Sequence, residues 1–453
     1  MAPLGIGFAA GPKRIGGFFA NMSGTTSYQP KLRLDAAGNI YAVNNGVIRK
    51  ISPAGKILWE KVISGGTYDT MDISSAGEIL LGGKQDVVEN SVFVTKFVVA
   101  RIDTNGNLLW QKYYRTVSTQ STSGTYLNSI RFNTTDSSIY FSGTYDIYVP
   151  NTSQWGWAVL VKLDSSGNLI WNRRFTNPWG YSTYGGGIAT DSSGNIFWTG
   201  NYDPSTLTGY NGFISKFNSS GTLLWQKKMY GPNENQSSKE FRVYQTLVDS
   251  SGNLHIGGWI DPGGLQYWTR LPYFAGLDTN GNVIYQKYAV SPNMLSTGGA
   301  MGVVPDMFID GTNIYACSWG TDGSANSTYA DHVFKYNTSG VLQYQREFST
   351  SESTIGYGIA ILGNFLYRLG YSWSGKSYMT KFPKDGSNVS KKYSYFGLIW
   401  QHIASNWTYG NSPTTIDSGV LGSDSGGSVA EQTAGLTPMT LSNSSTVLDL
   451  RSI

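Results

Sequence analysis

Short runs of alternating apolar and polar residues recur along the chain, and each is bounded by a polar turn that contains glycine. In residues 188–229, the runs NIFWTGN, GFISKF and TLLWQKKM are separated by turns such as DSSG and NSSG. A period of two residues between Gly, Asn, Asp and Ser clusters predicts antiparallel strands joined by tight turns. Asp or Asn opens such a turn through its side chain, and Gly supplies the positive φ that a short loop requires.

This polar turn and the strand after it occur in seven copies. The glycines of the seven copies are Gly55, Gly106, Gly167, Gly221, Gly281, Gly340 and Gly386. Four residues later, the first six copies have Trp59, Trp110, Trp171, Trp225, Tyr285 and Tyr344, whereas the seventh has Ser390. A second turn, as in DSSGNIFWTG, precedes each copy, so every unit contains four predicted strands.

Four-stranded units repeated every ~40–60 residues are typical of β-propellers. We therefore predict an all-β, seven-bladed propeller over residues 30–396, between an N-terminal arm (1–29) and a C-terminal extension (397–453). The predicted blades span about 30–63, 68–114, 126–176, 184–230, 241–289, 300–348 and 355–396. The repeated aromatic residue near the start of each outer strand should pack across to the next blade. Because a ligand site would not need it six times, we interpret it as structural.

The repeat resembles the SBBP-type β-propeller repeat, which reads aliphatic-x-x-D-x-x-G-N-aliphatic-aromatic-x-x-G, then F-x-x-K-aromatic-x-x-x-G-x-x-x-W. The copy at 188–229 is the most similar to it, and the seventh copy departs from it most. The resemblance implies the fold and almost nothing about function, because the family is a scaffold. The Asp-to-Gly and Gly-to-Trp spacings differ from those of the sialidase Asp-box. The single cysteine, Cys317, argues against a quinoprotein dehydrogenase.

The two faces of the predicted ring differ. Both glycine turns of every blade fall on one face, and the longer connections fall on the other, which we call the long-loop face. Those connections are rich in aromatic residues, and such loops on a rigid scaffold commonly carry binding function. Candidate residues for binding a sugar or a protein, with packing of the core as the alternative role, are Trp155, Trp179, Tyr181, Trp259, Tyr267, Trp268 and Trp319.

Composition narrows the function classes. The net charge is +4, charged residues make up 14%, and there is no long Lys/Arg run, so nucleic-acid binding is not expected. One Cys and three His exclude a disulfide framework and a His/Cys zinc site. His255, His332 and His402 have no clustered carboxylates beside them in the sequence, so we expect no catalytic or metal site, no cofactor and no enzymatic activity. The sequence contains no apolar run of ~18 residues, so no membrane span is expected.

The two ends suggest an assembly. The N-terminus lacks the basic region of a signal peptide, and the Ser/Thr/Gly-rich C-terminal extension would be disordered alone in solution. With the low-charge surface and the SBBP-type repeats, the chain looks like a tailed-phage virion protein. It would be a tail, fibre or capsid-decoration component that contacts other virion proteins through its arms and a host glycan or receptor through its aromatic loops. The alternatives are a secreted or surface bacterial glycan-binding propeller, and a propeller hydrolase or lyase.

Overall fold

The computed structural model contains only β-strands among its regular elements in the described part of the chain. It describes residues 31–44, 47–53, 56–89, 91–116, 125–147, 155–176, 182–203, 210–230, 241–261, 270–290, 302–320, 329–349, 353–372 and 377–387, and six later strands between 392 and 439. The N-terminal arm lies outside these residues.

Seven antiparallel sheets form the ring, which confirms the predicted number of blades and the fold class. The first blade consists of β1 (Lys31–Leu34), β2 (Ile40–Asn44), β3 (Val47–Ile51) and β4 (Ile57–Val62). The second consists of β5 (Thr67–Ile73), β6 (Ile79–Glu89), β7 (Val92–Ile102) and β8 (Leu108–Thr116). The third consists of β9 (Tyr126–Phe132), β10 (Ile139–Ile147), β11 (Trp155–Leu163) and β12 (Leu169–Thr176).

The next three blades follow the same order. The fourth consists of β13 (Thr183–Thr190), β14 (Ile196–Tyr202), β15 (Asn211–Phe217) and β16 (Leu223–Tyr230). The fifth consists of β17 (Phe241–Val248), β18 (Leu254–Ile260), β19 (Leu271–Leu277) and β20 (Val283–Val290). The sixth consists of β21 (Gly302–Asp310), β22 (Asn313–Gly320), β23 (Ala330–Asn337) and β24 (Leu342–Ser349).

The seventh blade differs from the other six. Its described strands are β25 (Thr354–Leu362), β26 (Phe365–Ser372) and β27 (Ser377–Pro383). Residues 392–395, which we expected to fall in its fourth strand, form β28 (Lys392–Tyr395) and pair with β29 (Leu398–Ala404). Through β29 they belong to the sheet of the sixth blade. The copy that has Ser390 in place of the aromatic residue is thus the one whose outer strand is not seen in its own sheet.

The polar turns close as the sequence predicts. In the third blade, the Asp164 carboxylate accepts hydrogen bonds from the backbone N–H groups of Ser166 (2.9 Å) and Asn168 (2.8 Å). The backbone N–H of Gly167 donates to the carbonyl of Asp164 at 3.0 Å, and Gly167 has a φ of 79°. The carboxylate therefore satisfies donors that the turn would otherwise leave to water, and glycine takes the left-handed conformation without strain.

Adjacent blades pack face to face through separate apolar clusters. One cluster between the first two blades includes Tyr41, Ile48, Met71 and Leu81. Another joins the seventh blade to the first, through residues such as Ala360 and Leu32. Because no described strand is shared between these two blades, apolar packing and a few polar contacts in the centre hold the ring closed there.

The repeated tryptophans lie between blades, and each makes the same hydrogen bond to the next blade. The indole Nε1 of Trp171 donates to the carbonyl of Ser219, in the next blade's turn, at 3.3 Å. A Cβ on Gly221 would lie 2.9 Å from the Trp171 ring, so glycine at this turn is also required for close packing. Equivalent indole bonds join Trp59 to Thr104, Trp110 to Ser165 and Trp225 to Thr279, and the Tyr344 hydroxyl donates to Lys384. Each of these four indoles is partly buried.

Five residues before the turn glycine, six copies have Lys or Arg, whereas the fifth copy has Gly276, and the fifth blade shows why. Its outer-strand aromatic residue is Tyr285, and a Cβ on Gly276 would lie 2.3 Å from that ring. The tyrosine hydroxyl lies 3.0 Å from Nδ1 of His255, whose Nε2 lies 3.1 Å from the Asp249 carboxylate. In the fifth blade, a buried histidine thus contacts the turn aspartate. In the fourth blade, a lysine takes that place, and Lys216 lies 3.5 Å from Asp191.

The C-terminal extension lies on the propeller's own rim. After β29 come β30 (Thr408–Asn411), β31 (Thr415–Asp417), β32 (Ser428–Ala430) and β33 (Leu436–Met439). These strands, which we call the strap (β29–β33), pair in turn with β24, β20, β16, β12 and β8. The predicted outer strands are therefore the fourth of their blades, and five of them have a fifth strand outside.

Candidate functional site

The long-loop face contains a cluster of aromatic and arginine side chains over the fourth and fifth blades. We call Tyr184, Tyr210, Arg242, Trp259 and Arg270 the aromatic–arginine cluster. These residues lie at or beside the strand ends that the predicted long connections join. Arg242 and Trp259 are directly opposite each other on β17 and β18, so the register brings them together.

Stacked cation–π contacts hold the cluster. The Arg270 guanidinium lies 4.4 Å from the Trp259 ring centre, and the Arg242 guanidinium lies 5.8 Å from the same ring. Arg242 also lies 4.4 Å from the ring of Tyr210, which meets Tyr184 edge-on at 5.5 Å. Arginine suits such a position because its planar guanidinium stacks on aromatic rings, and its N–H groups match the two-point geometry of a carboxylate.

Backbone hydrogen bonds fix the positions of the cluster's strand ends. The carbonyl of Tyr210 accepts from Phe241 N–H at 2.7 Å, and the carbonyl of Arg270 accepts from Gly302 N–H at 2.7 Å. Each bond joins one blade to the first strand of the next. The cluster is thus supported by the rigid ring and not by loops alone.

The charge state of the cluster is constant near neutral pH. Arginine stays protonated throughout the accessible range. Burial raises the pKa of Tyr210 to about 12, and Tyr184 and Asp203 add to this shift. The Tyr210 phenol is therefore a neutral hydrogen-bonding group, and the cluster has the chemistry of a binding surface for an anionic or sugar-like ligand.

The structure places the seven predicted binding residues unevenly. Trp259 belongs to the cluster but is only 1% exposed, because both guanidiniums cover its ring and its indole donates to the Tyr244 hydroxyl at 3.3 Å. Trp259 thus supports the surface from beneath, which fits the alternative role of packing, and it is not itself an exposed platform. Trp319 is half-buried, with Tyr329 edge-on at 5.5 Å. The side chain of Trp155 and residues Trp179, Tyr181, Tyr267 and Trp268 lie outside what the structure describes.

Sequence reasoning missed four members of the cluster and one further feature. Arg242, Arg270, Tyr184 and Tyr210 lie at strand ends, and only an alignment of those ends across blades could have drawn attention to them. The further feature is the long hairpin of β6 and β7 in the second blade. At its tip Val88 and Phe93 are directly opposite each other and are 71% and 46% exposed. An apolar cross-strand pair in water is a second candidate contact point on this face.

The central channel contains buried charges that the repeat does not predict. Arg33 from the first blade donates to the Asp306 carboxylate of the sixth blade at 3.1 Å, and Ile359 N–H donates to the same carboxylate at 3.2 Å. Lys31 and Gln245 both donate to the carbonyl of Pro305. These contacts link the first and fifth blades to the sixth in the centre of the ring, so their role is structural.

The side chains of His255, His332 and Cys317 are buried. Burial lowers the pKa of His255, although the Asp249 carboxylate opposes the shift. Burial lowers the pKa of His332 to about 3, and Arg368 adds to the effect. Burial raises the pKa of the Cys317 thiol. His402 lies on β29.

Two further observations concern the described residues alone. Among them, no group of three or more His, Cys, Asp and Glu side chains is arranged to hold a metal ion. The same ranges contain no helix with the length and apolar character needed to cross a bilayer.

Comparison with known proteins supports the fold. The SBBP beta-propeller repeat matches residues 171–201, from the outer strand of the third blade into the second strand of the fourth. Comparison with curated proteins finds no match.

Solved structures give only distant likenesses. A protein of unknown function from Bacteroides caccae is 13% identical, with 70% of this chain and 93% of that chain covered and a TM-score of 0.35. The polysaccharide lyase Uly1 is 11% identical, with 82% and 94% covered and a TM-score of 0.46. A chain of the mitotic checkpoint complex is 12% identical, with 83% and 98% covered and a TM-score of 0.47. At such values these likenesses carry no argument about function.

Proposed function

We propose that this protein is a non-enzymatic structural and host-recognition component of a tailed-phage virion, and that its long-loop face binds a surface glycan that carries carboxylates. The observation that carries the binding role is the aromatic–arginine cluster. Two guanidiniums over aromatic rings, beside the neutral Tyr210 phenol, match a ligand that offers both carboxylate oxygens and hydroxyl groups.

The burial and the existing contacts of His255 and His332 favour a binding role over a catalytic one. His255 is held between Asp249 and Tyr285, and His332 is buried with a pKa far below neutral. In the described structure neither imidazole reaches the long-loop surface as a base would need to. The hydrolase or lyase alternative therefore has no supporting constellation within those residues.

The virion assignment rests on composition and on the repeat. The SBBP-type blades, the low charge and the Ser/Thr/Gly-rich extension support it. The strap adds support, because it leaves edge strands of only three or four residues on five blades, and short edges suit a protein that is packed against many neighbours without edge-to-edge association. We assign contacts with other virion proteins to the terminal segments, 1–29 and 397–453. A secreted bacterial glycan-binding propeller is the second candidate, and it would use the same cluster.

The binding role is tested with immobilised polysaccharides, one rich in uronic acids and one neutral. Arg270→Ala and Tyr210→Ala should each reduce binding to the acidic polysaccharide at least tenfold. The matched control is Arg173→Ala, which removes an arginine stacked 5.2 Å from Trp171, near the glycine turns. Equal binding by all three variants and the parent would overturn the glycan proposal.

The location is tested separately. Mass spectrometry of gradient-purified particles should detect the chain in a fixed ratio to the major virion proteins. Its presence in culture medium of uninfected bacteria, and its absence from particles, would favour the secreted alternative.

A further inference from the structure

The strap follows the rim of the propeller in strict order. From β29 to β33 its strands pair with the outer strands of the sixth, fifth, fourth, third and second blades. Every pairing is antiparallel, so the chain passes from blade to blade in one direction. The next outer strand in that direction is β4 of the first blade.

The strap contacts the same part of each outer strand. Counted from the turn glycine, each paired segment begins six or seven positions later and ends nine or ten positions later, so positions seven to nine are common to all five. The segments of the outer strands that pair with the strap are Tyr113–Thr116, Arg174–Thr176, Lys228–Tyr230, Lys287–Val290 and Arg346–Ser349. The equivalent positions of the first blade, counted from Gly55, are residues 62–64. The described strands include none that pairs with the outer edge of β4.

The chain that follows the strap has the length and pattern for one more strand. The four intervals between strap strands are 405–407, 412–414, 418–427 and 431–435, which is 3 to 10 residues each. Residues 440–453 therefore suffice for an interval and a strand of similar length. Within them TVLDLR (446–451) begins with two β-favouring residues, Thr and Val, and then alternates apolar and polar residues, unlike the Ser/Thr/Gly-rich sequence before it.

We propose that residues 446–451 form a sixth strap strand on the outer edge of β4, centred on Val62 and Ile63. The carbonyl of Ser64 already accepts a hydrogen bond from Gln111 Nε2 at 2.8 Å, so the free edge is the part before it. This strand covers the last outer edge in the path of the strap. An uncovered edge would be a template for pairing with another chain, which is the competing occupant.

Hydrogen exchange of the full-length chain tests the proposal. The amides of residues 57–64 should be protected in the parent, and a double Leu448→Pro, Leu450→Pro variant should raise their exchange at least tenfold. Proline removes the N–H donors and the extended pairing geometry that the strand needs. Peptides from Tyr113–Thr116, under β33, should not change.

Two controls separate the outcomes. Ser442→Pro, placed in the interval before the predicted strand, should leave exchange at 57–64 as in the parent. Unchanged exchange in the double proline variant would overturn the proposal. Protection at 57–64 that increases with protein concentration would also overturn it, because the occupant would then be a second copy of the chain.

Discussion

Replacing Trp171 by alanine removes the contact that joins the third blade to the fourth. A tryptophan side chain buries about 150–250 Å² when fully enclosed. Trp171 is half-buried, so about 100 Å² returns to water, which at ~25 cal/mol per Å² amounts to about 2.5 kcal/mol. The lost indole hydrogen bond adds little, because Lys162 Nζ donates to the same Ser219 carbonyl at 3.0 Å. We expect a loss of about 2–3 kcal/mol in the free energy of unfolding.

Urea unfolding followed by intrinsic fluorescence and circular dichroism measures this loss. The matched control is Ile170→Ala, since the neighbouring side chain is 53% exposed and should change stability by only about 0.5 kcal/mol. A Trp171→Ala protein with the parent's urea midpoint would refute the inter-blade contact. So would an Ile170→Ala protein that loses as much stability as Trp171→Ala.

Three other predictions concern the turns, the channel and pH. Gly221→Ala should destabilise more than Gly311→Ala in thermal unfolding, because both have positive φ but a Cβ on Gly221 meets the Trp171 ring whereas one on Gly311 meets no atom within 4 Å. Arg33→Met should cost about 3–5 kcal/mol by leaving Asp306 buried without its guanidinium, and the double variant with Asp306→Leu should recover most of it in urea unfolding. The unfolded chain protonates His332 near its ordinary pKa of 6.5 whereas the folded chain does so near 3, so stability should fall as pH drops from 6.5 toward 3. The stability of the His332→Gln variant should fall less steeply over that pH range. Parallel stability curves for the variant and the parent would contradict the role of His332.

The periodic part of the fold could be predicted from the sequence. Turns such as the one at Asp164 and Gly167 need particular residue types, so they leave a readable pattern in every blade. The aromatic residue four positions later has the same neighbours each time, which is why Trp171 and its equivalents were correctly placed between blades. The indole is only partly buried, because an outer strand leaves one side of the ring in water.

The non-periodic contacts could not be predicted. Arg33 and Asp306 are 273 residues apart and meet only because the ring closes. Arg242 and Trp259 meet through the register of two strands, and no local pattern marks the pair. The strap has no alternation for most of its length, since its strands are only three to seven residues long and their partners are already formed.

Site-specific photocrosslinking shows directly whether the long-loop face is the surface that binds the glycan. A photoreactive phenylalanine analogue is placed at Tyr210 in one variant and at Asn105, an exposed residue of a glycine turn, in another. Each is illuminated with cell envelopes of a susceptible bacterium. The account predicts covalent adducts with envelope glycan from the Tyr210 position and none from the Asn105 position. Adducts from Asn105 alone would contradict it.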